Sequence, residues 1–121
     1  MVDVKTMVFN ALQEAFPDIE ISDEFPDDFS GITQIQYTEE ENKAKDISAT
    51  GVINSYVRYR IDIWSQRNTS TYAVEADAAL FEKVGLIRSG CSDANEPQRK
   101  HKIMRYEGII DERTNRVYAP S

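Results

Sequence analysis

His101 is the only histidine in the chain and Cys91 the only cysteine, so any nucleophile–base chemistry would have to run through one or both of them. A catalytic pair needs a thiol or hydroxyl within reach of a base that a third group orients. His101 stands in Arg99-Lys100-His101-Lys102 with no carboxylate beside it in sequence, so an exposed strand histidine is expected. Cys91 lies between Gly90 and Ser92 with no second motif element, and a reduced thiol of a cytoplasmic chain is expected. Asp23, Glu24, Asp27 and Asp28 cluster oxygen donors, as do Glu39, Glu40 and Glu41. They do not follow the spaced pattern of a calcium loop, which makes a solvated acidic loop the expectation. No phosphate-binding glycine loop, dinucleotide fingerprint, zinc-protease helix or paired Cys-x-x-Cys occurs. The chain is therefore expected to be no enzyme, with no cofactor and no metal.

The elements that would position these residues are legible in part. Val4, Met7, Val8, Ala11, Leu12, Ala15 and Phe16 recur at helical spacing, which predicts a helix over 3–16. Asp3 suits its N-cap and Pro17 its stop. Asp18 to Ser22 predicts a short strand, Asp23 to Gly31 a loop, and Ile32 to Glu40 a strand with Ile35 and Tyr37 on one side. Glu40 to Gly51 has almost no large apolar residue and is expected to be a mobile polar loop. Val52 to Ser65 predicts the longest strand. Tyr72, Ala76, Ala79, Leu80 and Val84 share one face of a second helix over about 70–84, with Gly85 ending it. Leu86 to Asp93, Arg99 to Asp111 and Arg116 to Ala119 complete the strands. Strands grouped between two helices predict one α+β domain over 1–121 with a mostly antiparallel sheet.

Charge narrows the partners. The net charge of the 121 residues is −7, which argues against a grip on nucleic acid. Residues 1–50 carry 12 acids against three lysines, net −9, whereas residues 51–121 carry 11 bases against nine acids, net +2. That asymmetry would let the acidic half of one copy face the basic half of another, and such head-to-tail contacts close into rings or run on as filaments. No apolar run approaches the roughly 18 residues that span a membrane. The N-terminus lacks a basic segment followed by an apolar one, so no signal peptide is expected.

Three stretches together form a familiar pattern: Tyr59 to Gln66 (YRIDIWSQ), Thr69 to Arg88 (TSTYAVEADAALFEKVGLIR) and Lys102 to Tyr118 (KIMRYEGIIDERTNRVY). The chain resembles the tail-terminator, or tail-to-head joining, proteins of long-tailed bacteriophages and prophages, closely over 52–119 and loosely before that. These are core and strand patterns rather than a catalytic motif, and no functional residue carries over position by position. The resemblance implies a structural virion protein in the tail–neck region, made in the host cytoplasm. It would form a ring, expected to be a hexamer in the particle and possible as a monomer in solution. The ring would cap the tail-tube protein, stop its polymerisation and meet the head's connector or completion protein. DNA would pass through the lumen without specific binding, and an acidic wall suits that passage. A head-completion ring of the same neck region, a small metal-using α+β enzyme and a bacterial adaptor module are the alternative functions.

Within that frame the long strand supplies interface candidates. Val57, Tyr59, Ile61 and Ile63 alternate with Tyr56, Arg58, Arg60, Asp62 and Trp64. The second set mixes arginine and aromatics, a composition that suits a protein interface. Arg58 and Arg60 are the expected donors toward Asp23, Asp27 and Asp28 of a neighbour, and reversing both arginines to Glu is expected to leave the fold intact.

Overall fold

The computed structural model describes residues 1–25 and 33–120. The chain is α+β. Helix α1 (Val4–Ala15) leads into strand β1 (Glu20–Ser22), then β2 (Thr33–Ser48) and β3 (Gly51–Ser65). Helix α2 (Ser70–Ala79) continues through a wider final turn, Leu80–Val84, and is followed by β4 (Ile87–Asp93), β5 (Lys100–Asp111) and β6 (Arg116–Tyr118). The six strands form one sheet in the order β1-β2-β3-β5-β4, with β6 beside the far end of β5. All pairings are antiparallel except β1 with β2.

Helix boundaries follow local chemistry. The Asp3 carboxylate accepts from the Thr6 amide at 3.1 Å and from its hydroxyl at 2.6 Å, capping α1. Gly85 ends the second helix at φ 95°, a left-handed conformation that a Cβ would resist, and its amide bonds the Leu80 carbonyl at 2.9 Å. A Cβ there would also lie 2.9 Å from the Val117 carbonyl oxygen.

Both helices cover one face of the sheet. Val4, Val8, Leu12, Ala76 and Leu80 from the helices meet Ile35, Val57, Tyr59, Ile61, Ile63, Met104, Tyr106 and Ile110 from the strands in one cluster. Two tyrosines in it keep a polar tip satisfied: Tyr59 donates to Glu39 at 2.6 Å and Tyr106 to Asp77 at 2.8 Å. Burial, and then the bond to a carboxylate, pushes both phenols far above their ordinary pKa.

The largest departure from the sequence reading is at 40–51. The segment expected to be a polar loop is strand. β2 runs on to Ser48, and Ala49 and Thr50 turn it directly into β3, with Ser48 opposite Gly51. The pairing tolerates irregularities between Glu39 and Glu41 and around Asp46. Polar cross-strand pairs take the place of apolar alternation: Asn54 donates to Asp46 at 2.8 Å, and Lys43 Nζ sits 5.4 Å from the Tyr56 ring centroid. Because β5 pairs β3 only from Asn54 onward, the end of the hairpin stands past the sheet as a two-stranded arm. Hydropathy alternation reports burial of a face, and this arm buries neither, so the sequence pattern carried no trace of it.

Candidate interaction face

The face of the sheet away from the helices is lined by alternate residues of the three central strands. Register fixes which. Trp64 stands opposite His101, Asp62 opposite Ile103, Arg60 opposite Arg105, Arg58 opposite Glu107 and Tyr56 opposite Ile109. On the other side of β3, Asp62 faces Gln36 and Arg60 faces Thr38. The five residues of β3 that sequence alternation singles out therefore do share one face.

They do not share one environment. At the end near Ser65 the face is closed. Trp64 is 4% exposed and Asp62 3%. The Trp64 indole stacks on the His101 ring, centroids 4.5 Å apart and planes 16° apart, and meets the Phe25 ring edge-on at 5.5 Å. Asp62 is held by three donors: Arg60 Nε at 3.0 Å to Oδ2, Arg60 Nη2 at 2.9 Å to Oδ1, and His101 Nε2 at 2.8 Å to Oδ1. The bond to Asp62 raises the Arg60 pKa above its ordinary value. The backbone N–H of His101 donates to Asn95 Oδ1 at 3.0 Å, which ties the β4–β5 connection to the same spot.

This corrects three expectations. His101 is buried and has a carboxylate partner, brought 39 residues along the chain by strand pairing. Asp62 and Trp64 are not surface residues open to a neighbour. Arg60 is bound to Asp62 of its own strand, and Arg60→Glu would set a second carboxylate against a buried one, so the double reversal would not leave the fold untouched.

Toward the arm the face opens. Arg58 Nε lies 3.4 Å and Arg105 Nε 3.2 Å from the same Glu40 Oε1, so one carboxylate bridges two strands. Glu40 follows Gln36 and Thr38 onto this side by alternation, and the irregularity after Glu39 brings Glu41, opposite Arg58, onto it as well. Tyr56 donates to Glu107 at 2.7 Å, and that bond raises its pKa. Ile103 and Ile109 are half-buried between these ion pairs. Glu40, Arg105, Ile103 and Ile109 were missed as members of this face. The alternation of β5 placed its odd-numbered residues together, but only register sets them beside β3.

Asp23 pairs with Lys5 of its own chain at 2.9 Å, and each of the two charges favours the other's ionised form. Asp27 and Asp28 lie outside the described residues. Among the described residues no group of three His, Cys, Asp or Glu side chains is arranged to hold a metal ion. Cys91 is opposite Met104, a helix-side residue, so its thiol and His101 lie on opposite sides of the sheet. What the face can do chemically is form salt bridges, stack and bury apolar area against another surface. No protein-family model and no curated protein matches the chain.

Proposed function

We propose that the protein is a structural ring component of a long-tailed phage or prophage. It caps the tail tube, ends tube growth and offers the surface on which tail and head join. The β2–β3 arm carries this reading. It projects past the sheet, exposes Ile47 and Val52, and has no evident use to an isolated monomer. Such an extension would let a ring subunit reach the next copy or the tube. The open sheet face, with Arg58, Arg105 and Glu40 around half-buried isoleucines, is a second surface of interface composition. The resemblance of Tyr59 to Gln66, Thr69 to Arg88 and Lys102 to Tyr118 to tail terminators supports the same role. Its partners are then copies of itself, the tube protein and the head connector. A net charge of −7 suits a lumen that DNA crosses without sticking.

Electron microscopy of particles produced without this chain tests the proposal. Unjoined heads and tails with tubes of uncontrolled length are expected, and supplying the chain restores joined particles. Joined particles with normal tails in its absence would remove the role.

A further inference from the structure

Among the described residues two exposed apolar groups stand out, and they differ in the charges that flank them. One is the tip of the arm: Ile47 stands opposite Val52 across the hairpin, 71% and 39% exposed. Its flank carries Lys43 and Lys45, both exposed, of which Lys43 lies 3.6 Å from Glu41 of its own strand. The other is on the second helix. Val74, Ala78 and Phe81 follow i, i+4, i+7 spacing and so lie on one stripe, with Val74 70% and Phe81 57% exposed. Ala78 also lines a shallow groove of about 310 Å³ between the two helices, edged by Glu14, Glu75 and Glu82. Among the described residues Lys83 is the one base in that groove, and it already pairs with Glu14 at 3.7 Å. On the arm, Asp46 is likewise engaged by Asn54.

We propose that the arm of one copy docks on the second helix of the next. Ile47 and Val52 cover Val74, Ala78 and Phe81, while Lys43 and Lys45 face Glu75 and Glu82. Resting on the ring reading for its partner being a second copy, the inference adds which surfaces meet. Exposed apolar side chains grouped in a patch and rimmed by charged residues mark interaction sites. The two patches are different surfaces with complementary charge, so their contact is heterologous and propagates head to tail, as a ring requires. The arm's ladder hydrogen bonds hold it extended without a partner, so its tip is presented ready-formed.

Disulfide trapping tests the contact. In a Cys91→Ser background, one sample carries Ile47→Cys and another Ala78→Cys, and the two are mixed under mild oxidation. Mixed disulfides are expected to dominate over either homodimer, and a chain carrying both cysteines should give a ladder of oligomers. Lys43→Glu with Lys45→Glu should lower the mixed yield by about tenfold, and Glu75→Lys with Glu82→Lys in the other copy should restore it. All of these positions are exposed, and circular dichroism checks that each variant is folded. Homodimers joined through Ile47→Cys as the main product would overturn the inference, as would a mixed yield no higher than that of Ile47→Cys with Ser92→Cys on edge strand β4. The two proposals fail separately. Rings on tail ends without arm-to-helix trapping leave the ring reading standing and this contact refuted. Trapping in a chain whose loss does not affect head–tail joining does the reverse.

Discussion

The two faces of the sheet are built from the same three strands, residue by alternate residue, and they are held by different forces. On the helix side Ile35, Ile61, Ile63, Met104 and Ile110 are removed from water, and burial stabilises at about 25 cal/mol per Å² of apolar area. On the other side Arg58, Arg105, Glu40, Tyr56 and Glu107 form polar pairs at the surface. Exposed ion pairs of this kind contribute only about 0–1 kcal/mol each. The boundary between the two regimes is not the sheet plane. At Asp62, Trp64 and His101 the outer face is itself buried and behaves as a second, polar core. A face opposite a hydrophobic core is thus not surface by default, and each pair of strands must be examined along its length.

Ile61→Ala, on the covered face, should produce the largest effect. Removing buried methyl groups that the surroundings cannot refill costs about 2–5 kcal/mol. Urea denaturation would show it, and a loss below about 1 kcal/mol would mean the core repacks far more freely than interiors do. Next comes the closed end of the outer face. Asp62→Ala should cost about 2–3 kcal/mol, because it strands the Arg60 guanidinium and the His101 imidazole at once. Arg60→Glu should destabilise in the same direction. If both behave as surface changes in a denaturant titration, the distinction between closed and open ends falls.

Tyr59 and Tyr106, both fully buried, make the contrast pH-dependent. Their phenols ionise at higher pH in the fold than in the unfolded chain, so their contribution is whole below about pH 10 and is lost as pH rises beyond it. Tyr59→Phe and Tyr106→Phe should each cost about 1 kcal/mol at neutral pH through the lost bond to Glu39 or Asp77. The double variant should lose less stability than the wild type between neutral and alkaline pH. Equal losses in a thermal-melt series would contradict the assignment. At the small end, Arg58→Glu on the open stretch should change stability by less than about 1 kcal/mol. A larger loss would show that the Glu40 bridge to Arg58 and Arg105 is a structural tie rather than a surface pair.

Where a segment buries one face, its sequence already showed its form. The stripe from Val4 to Phe16 and the alternation from Val57 to Ile61 record a solvent boundary in residue type, and the Asp3 cap and the Gly85 stop mark helix ends. They sufficed for the α+β class and for the division of β3 into two sides. Asp27 and Asp28, offered as acceptors for a neighbour, lie outside the described residues and gain no structural account.

Tertiary structure alone decided the rest. Whether Glu40 to Gly51 pairs or floats depends on hydrogen bonds to β3, and backbone groups look the same in every sequence. Whether His101 has a carboxylate depends on a register that sets it opposite Trp64 and diagonal to Asp62. A shift of one residue would have turned it to the helix side. Alternation assigns residues to faces, but contact within a face is set by long-range pairing. That is why the arm and the Arg60–Asp62–His101 cluster appeared only once the strands were laid side by side.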